Sequence, residues 1–455
     1  MKITTDTRTQ SPDHQPPSTT TPSTTTRSST TRSTATPPNS TTRPTAPDQR
    51  TSPTQPHPTA PHTTPDQPPE VPSADARGST AARVRGSTAA RRVSADRVVW
   101  ALRRPRLLPG LPVLHRAPDE LQVGTDPRHA VVLSGVAEPL VSLLHTLDGR
   151  DTEAELSARA GPENSAALGQ LLADLADLGL IEDAIPPETG IDGSPAVAVP
   201  ARLSADCSWW ALRTGQDRVI ANARRQRAAM VIHGGGRVAA SLATLLAAAG
   251  VGWIHIVAEG TVTPEQVGCG YLAEDVGRSR SAALRDAVLR SAPTTITTPL
   301  PRQRKPDLVL LADTAVPDPQ LAKELFVTGA VQLLAWAAEG IGVVGPLIVP
   351  GRSCCLRCID LHKAETEPAW PALATQLAGR QQPADLASAQ ASAAFAVSQA
   401  LRVLDGPRIG GLPWRGIAEL PVWGTAIEID TFTGVSNPTS WQRHAGCACG
   451  RKGGR

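Results

Sequence analysis

A glycine-rich turn between two apolar runs constrains the fold of this chain more than any other feature of the sequence. The stretch "MVIHGGGRVAASLATLLAAAGVGWIHIV" passes from an apolar strand, Met230–Ile232, through the turn into an Ala/Leu-rich helix and then into a second strand, Trp253–Val257. Gly234, Gly236 and Ala239 have G-x-G-x-x-A spacing, in which small residues keep the turn tight and let a phosphate approach the backbone. The pattern predicts a βαβ unit within an α/β fold.

The remaining apolar stretches extend this unit and do not require a membrane. "PDLVLLAD", at Pro306–Asp313, predicts a later buried strand of the same parallel sheet. The longest apolar stretch, Ala239–Val257, is interrupted by Gly250 and Gly252, so a helix, a turn and a strand explain it better than a bilayer-spanning helix does. We therefore expect no membrane partner, and a cytoplasmic location in which the thiols are reduced.

The first part of the chain has a composition that does not support a folded core. From Met1 to about Val71 it is rich in Ser, Thr and Pro and has no aromatic residue, so it cannot bury enough apolar surface to offset its conformational entropy. A tandem octapeptide, "RGSTAARV" and "RGSTAARR", follows at Arg77–Arg92, and all nine tryptophans lie from Trp100 onward. We therefore predict a disordered tail over residues 1–96. We also predict that this tail contains no signal peptide, because "MKITTDTRTQ" has no apolar segment.

Residues 97–185 carry the signals of a small module with strands and helices. Three short extended runs separated by turn signals are followed by three helical segments, an order that predicts a winged-helix-like module. Winged helices often bind DNA, but the last helix carries Asp174 and Asp177 and no Lys or Arg, and the chain has a formal net charge of only +3. A recognition helix presents basic or amide groups, so we expect no nucleic-acid partner.

The same shape can capture an extended peptide. The peptide would add alongside the third strand, "HAVVLSG", and insert its side chains into a cleft beside the last helix. The predicted peptide-binding residues are Val131, Val132 and Leu133 on the strand and Leu168, Leu171, Leu172 and Leu175 on the helix. The alternative is that these leucines form the core of the module, as most of an amphipathic face must.

From about Arg227 to Gly450 the chain resembles the ThiF-like, or E1-like, adenylating superfamily. The stretches that carry the resemblance are "VIHGGGRVAASLATLLAAAGVG", "DVGRSRSAALRDAV", "PDLVLLAD" and "GPLIVPGRSCCLRC". Members of the superfamily activate a carboxylate with ATP and magnesium, many carry a structural zinc bound by four cysteines, and homodimers are common among them. The resemblance implies a Rossmann-type ThiF-like domain over residues 227–450 and allows a homodimer.

Two later stretches narrow the resemblance to the E1-like proteins of azole-type peptide (bacteriocin) biosynthesis. They are "GPLIVPGRSCCLRCIDLHKAETEPAWPALATQL" and "WQRHAGCACG". Those proteins fuse an N-terminal winged-helix module that recognises leader peptides to a ThiF-like domain, and they present the precursor to an ATP-dependent cyclodehydratase. The resemblance implies these roles for residues 97–185 and 227–450, joined by a linker at 186–226. The implied partners are a precursor leader peptide and a cyclodehydratase.

The nucleotide-binding positions of the superfamily are altered in this chain. After "GVG" and a strand, its two acidic positions fall on Ala258 and Gly260, and only Glu259 lies between them. The Asn and Arg positions that follow fall near Gln266 and Cys269. Without these side chains the site lacks charged groups that phosphoryl transfer requires in fixed positions before the reaction starts.

Part of the nucleotide-binding set is retained. The phosphate-stabilising Lys of the superfamily aligns with Arg280, and its magnesium-positioning aspartate with Asp313. The candidate nucleotide-binding residues are therefore Gly234, Gly236, Ala239, Glu259, Arg280 and Asp313. We predict a scaffold without catalytic residues of its own, for which ATP and magnesium are not expected cofactors. The competing hypothesis is an active adenylyltransferase for a sulfur carrier or a peptide carboxylate, in which Glu259 and Arg280 compensate in part.

Five of the seven cysteines lie in two close groups late in the sequence. A C-x-x-C knuckle and a C-x-C pair together offer four thiolates, the tetrahedral soft-ligand set that zinc prefers. We predict a structural zinc bound by Cys355, Cys358, Cys447 and Cys449. Cys354 could replace Cys355, and His362 or His444 could replace one ligand. Cys207 and Cys269 lack the histidine partner of an activated nucleophile, so we predict plain thiols there.

Overall fold

The computed structural model describes residues 83–86, 102–185, 199–215, 217–406, 408–409, 412–413 and 415–450. All of them belong to one compact unit, Ala76–Arg455. The predicted disordered tail lies outside the described residues except at 83–86, and so do residues 186–198 and 216 of the predicted linker. The domain boundaries stay a prediction.

The described chain alternates strands and helices. The strands are β1 Arg83–Gly86, β2 Pro105–Leu107, β3 Val113–Ala117, β4 Glu120–Val123, β5 Val131–Ser134, β6 Ile181–Asp183, β7 Ala229–His233, β8 Trp253–Val257, β9 Leu308–Ala312, β10 Gln332–Ala338, β11 Ile341–Ile348, β12 Arg408–Ile409, β13 Leu412–Pro413, β14 Thr425–Asp430 and β15 Ser436–Ser440. The α-helices are α1 Glu138–His145, α2 Glu153–Ala160, α3 Ser165–Asp177, α4 Ser204–Thr214, α5 Arg218–Arg227, α6 Arg237–Ala248, α7 Arg280–Ser291, α8 Pro319–Thr328, α9 Leu356–Thr366, α10 Trp370–Leu377 and α11 Leu386–Asp405. Within the described ranges, none of the helices combines the length and the apolarity that crossing a bilayer requires.

The N-terminal part of the described chain forms a four-stranded antiparallel sheet followed by three helices. Its strand order is β1-β5-β4-β3, and α1, α2 and α3 pack their apolar faces against it in one buried cluster. A capping box starts α2: the Thr152 hydroxyl accepts from the N–H of Glu155, whose carboxylate accepts from the N–H of Thr152. The three extended runs and three helices predicted for this stretch are present.

Strand β1 lies inside the tail that composition predicts to be disordered. It pairs with β5 in antiparallel register, from Arg83 opposite Ser134 to Gly86 opposite Val131. The structure describes no other residues of the predicted tail, and the extent of that tail stays a prediction. Composition reports how much apolar area a segment can bury, whereas a strand at the edge of a sheet is held by backbone hydrogen bonds that almost any sequence can supply.

The second sheet is mixed and has seven strands in the order β15-β14-β11-β10-β9-β7-β8. β8, β7, β9 and β10 run parallel, and β11, β14 and β15 continue the sheet in antiparallel pairs. Alternate side chains of β7 pack in two different hydrophobic cores, one on each face of the sheet. Met230 and Ile232 pack with α6, α7 and α11, whereas Val231 packs with α8 and α9. The predicted βαβ unit is therefore present as β7, α6 and β8, within a mixed α/β fold.

A buried ion pair joins α5 to the end of α11. Arg225 is 2% exposed and Asp405 1%. The guanidinium donates from Nε to Asp405 Oδ1 (2.9 Å) and from Nη2 to Oδ2 (2.6 Å), a bidentate arrangement. Arg224 also donates to the backbone carbonyl of Asp405. These contacts fix α5, the helix that leads into β7, against the core helix α11.

Candidate functional site

Helix α9 and the segment after β15 bring four cysteines together. Cys355 is the N-cap of α9 and Cys358 lies in its first turn, whereas Cys447 and Cys449 follow β15 in sequence. The sulfur atoms are 3.7 Å apart for Cys355–Cys358, 3.6 Å for Cys355–Cys447 and 3.3 Å for Cys358–Cys449. All four lie within 4.8 Å of one another. The structure therefore brings the four predicted ligands into one cluster.

The spacing of these sulfur atoms suits a metal ion better than it suits disulfides. A disulfide holds its sulfurs about 2.05 Å apart, whereas four thiolates about 2.3 Å from a central zinc ion are about 3.8 Å from one another. Burial raises the pKa of the Cys358 thiol, but hydrogen bonds from the backbone of Cys355 and His444 and from neighbouring thiols lower it, to about 7 overall. Four thiols in this arrangement could hold a metal ion, and their soft donors fit zinc.

The other candidate ligands lie outside this cluster. Cys354 packs in the same apolar core but is not part of the sulfur group. His362 and His444 form a separate group with a neighbouring glutamate. Cys207 and Cys269 are buried elsewhere, and burial raises the pKa of the Cys207 thiol, which disfavours a reactive thiolate there.

The carboxylate of Asp313 occupies the glycine-rich turn between β7 and α6. Asp313 follows β9 with a φ of 63°, and its carboxylate accepts from the N–H groups of Gly236 (2.7 Å), Val238 (3.0 Å) and Ala239 (3.4 Å). These N–H groups form the N-terminus of α6, where such groups attract phosphate. Gly236 permits the approach, because a Cβ there would lie 2.5 Å from Asp313 Oδ1.

Arg280, the first residue of α7, covers the same turn. Its Nε donates to Gln266 Oε1 (3.1 Å) and its Nη1 to Gln381 Oε1 (2.9 Å). The amide of Gln266 and the hydroxyl of Tyr271 both donate to the carbonyl of Gly235, at 3.2 and 2.9 Å. A Cβ on Gly235 would lie 2.8 Å from Arg280 Cδ. Protein side chains thus provide the hydrogen-bond partners of this turn.

The structure brings together five of the six predicted nucleotide-binding residues, namely Gly234, Gly236, Ala239, Arg280 and Asp313. Glu259 is exposed, and its backbone carbonyl, rather than its carboxylate, accepts from Arg280 (3.3 Å). Sequence reasoning missed Tyr271 and Gln381. No motif marks either residue, because each reaches the turn through tertiary contacts.

Asp313 should make stability depend on pH. Burial raises the pKa of its carboxyl from 3.8 to about 6, although three N–H groups and the Arg280 guanidinium lower it. A raised pKa means that the stabilisation from the protonated carboxyl is complete below about pH 4 and is lost as the pH rises through about 6. Relative to Asp313→Asn, which cannot titrate, the free energy of unfolding of the native protein should fall by about 2 kcal/mol from pH 4 to pH 7.

The measurement is denaturant unfolding of both proteins across this pH range. An amide cannot accept at both of the Asp313 oxygen positions, so Asp313→Asn should carry a constant loss of stability in addition. The result that matters is the difference between the two proteins in how steeply the free energy of unfolding changes with pH, not this constant offset. Parallel pH profiles would contradict the assignment of the titration to Asp313.

The predicted peptide-binding leucines are core residues of the N-terminal part. Val131 and Leu133 on β5 and all four leucines predicted on α3 are buried in one cluster, and only Val132 of the set is half-buried. An amphipathic pattern identifies a buried face but does not distinguish a core from a groove. Any peptide added here would therefore contact the backbone of β5 and its outward-facing residues rather than these leucines.

No protein-family profile matches the sequence, and no curated protein matches it either. Solved structures do match its fold. E. coli MccB with ATP has a TM-score of 0.53 at 15% identity, covering 76% of this chain and 99% of that one. The microcin C7 biosynthetic enzyme MccB in complex with N-formylated MccA has a TM-score of 0.53 at 16% identity, with 76% and 99% covered. This chain therefore shares the fold of MccB over about three quarters of its length.

Proposed function

We propose that this chain is an E1-like protein of ribosomal peptide natural product (bacteriocin/azole) biosynthesis that binds a precursor leader peptide and presents it to an ATP-dependent cyclodehydratase without adenylating it. The fold supports a role of this class, since MccB is a microcin C7 biosynthetic enzyme whose solved complexes include MccA. The four-cysteine cluster is proposed to hold a structural zinc that fixes the segment after β15 to α9.

The position of the Asp313 carboxylate is the main support for the proposal that this chain does not adenylate a substrate. A nucleotide phosphate would need the N–H groups of Gly236 and Val238, which already donate to this carboxylate. Two anions cannot share these donors without strong repulsion. Arg280, which covers the turn, already donates to Gln266 and Gln381. ATP could bind here only if these hydrogen bonds were broken and replaced by hydrogen bonds to its phosphates.

The peptide-binding part rests on β-strand addition. β5 lies between β4 and the short strand β1, so an extended peptide could take the place of β1 and pair with the backbone of β5. Such pairing depends little on side chains, and this agrees with the burial of the leucines beneath the sheet. The sequence of the leader would be read by the residues around Val132.

An ATP–pyrophosphate exchange assay tests the proposal. With a candidate precursor peptide chosen from the short open reading frames near the gene as substrate, we expect exchange at least about a hundredfold below that of MccB, because loss of one preorganised charge contact alone costs about 10²–10³ in rate. The companion measurement is binding of that precursor by fluorescence anisotropy. Robust exchange with any carboxyl substrate would favour the competing function, an active adenylyltransferase for a sulfur carrier or a peptide carboxylate.

A further inference from the structure

The edge of β5 that a leader peptide would use is taken by the chain itself. β1, with the sequence RVRG, is the outer neighbour of β5 in the four-stranded sheet. Without β1, β5 would be an edge strand with a row of unpaired N–H and C=O groups, which is a template for another strand. The proposed binding site and the position of β1 are therefore one and the same.

The register identifies the backbone groups that hold β1. The N–H of Gly135 donates to the carbonyl of Asp119 (3.1 Å), so Gly135 faces β4. Because residues of an antiparallel strand face alternate neighbours, Val132 and Ser134 face β1. Their partners are Arg85 and Arg83. Two residue pairs thus hold this strand, which is a small contact compared with the packed core beneath it.

The sequence around β1 differs from that of the other strands in this sheet. β1 spans the junction of the tandem octapeptides "RGSTAARV" and "RGSTAARR", whereas β4 and β5 bury alternate apolar side chains in the core. β1 is covalently connected through residues 87–112 to β3, the next strand of the same sheet along the chain. A tether of this kind gives an effective concentration in the millimolar range, so even a weak strand would compete with a free peptide.

We infer that Arg83–Gly86 is an intramolecular occupant of the leader-binding edge of β5, which a precursor peptide must displace by pairing in the same antiparallel direction. The inference rests on the proposed peptide-binding function and adds its regulation. It also defines the ligand class: an extended segment that pairs through its backbone at the positions of Arg83 and Arg85. Release of β1 would raise the affinity of the site for leader peptides.

The experiment uses the full chain and two variants at one position. Arg85→Pro removes the N–H that faces Val132, whereas Arg85→Ala removes the same charge and keeps that N–H. The probe is a fluorescein-labelled peptide with the sequence AARVRGST, residues 81–88, and binding is read by fluorescence anisotropy. We expect Arg85→Pro to bind the probe at least about tenfold more tightly than the native protein and Arg85→Ala. The amides of Val132 and Ser134 should also exchange hydrogen faster in Arg85→Pro.

Equal binding of the probe by all three proteins would overturn the inference, and so would an absence of binding to Arg85→Pro. The precursor peptide, measured on the same proteins, separates the two proposals. If Arg85→Pro binds the probe but not the precursor, the proposed leader-binding function fails and self-occupancy stands. If the precursor binds the native protein and Arg85→Pro equally, leader binding stands and self-occupancy fails.

Discussion

If the four cysteines bind zinc as proposed, replacing Cys358 with serine should abolish that binding and lower the free energy of unfolding by more than about 4 kcal/mol, since loss of a structural metal belongs among the largest single-residue effects. Cys358 is fully buried, and its sulfur is close to those of both Cys355 and Cys449. A serine hydroxyl in its place is a poor ligand for zinc. The measurements are metal content by mass spectrometry and denaturant unfolding. Native protein should carry one zinc ion per chain.

Cys354 provides the matched control. It is also buried and immediately precedes the knuckle, but it lies outside the sulfur cluster. Cys354→Ala should keep one zinc ion per chain and lose only the stability expected for a small cavity. A Cys358→Ser variant with an unchanged metal content, or a Cys354→Ala variant that loses its metal, would refute the assignment of the ligands.

Asp405→Ala should cost about 3–5 kcal/mol of folding free energy, because it leaves the guanidinium of Arg225 buried without its carboxylate. Both oxygens of Asp405 accept from Arg225, and both side chains are almost completely removed from solvent. Chemical unfolding monitored by the intrinsic fluorescence of tryptophan measures the loss. The expected effect is on stability, with the metal content unchanged.

The double variant Arg225→Met/Asp405→Leu distinguishes two causes of the lost stability, an unpaired buried charge and the loss of packing contacts. Replacing both partners with apolar side chains removes the unpaired charge, so much of the stability lost in Asp405→Ala should return. Asp126→Asn, which breaks an exposed pair with Arg128, is the control and should leave the unfolding midpoint almost unchanged. A double variant as unstable as Asp405→Ala would show that packing, rather than charge, dominates at this position.

Local patterns predicted much of the fold and the four-cysteine cluster. The G-x-G-x-x-A turn between apolar runs identified β7, α6 and β8 because strand, turn and helix are adjacent in the chain. The C-x-x-C and C-x-C pairs identified the sulfur cluster, because each pair is set by local spacing and only one long-range contact had to be assumed. These features need little knowledge of the tertiary structure.

The features that sequence reasoning missed depend on contacts between distant segments. The carboxylate of Asp313 lies at the N-terminus of α6 because β9 is a neighbour of β7, and no spacing within either segment reveals it. The leucines of α3 have the same periodicity whether they line a groove or a core. β1 was missed for a third reason: its pairing comes from the open edge of β5, while its own sequence is polar.

The four-cysteine cluster can be completed only late in the synthesis of the chain. The chain emerges from the ribosome N-terminus first, so α9 with its two thiols exists before residues 447–449 have been made. Until Cys447 has been translated, only half of the proposed ligand set is present, and a two-thiol site holds zinc weakly. A metal ion held by all four thiols could therefore be captured only as a late step, and a chain that ended before Cys447 would lack half of the proposed ligands.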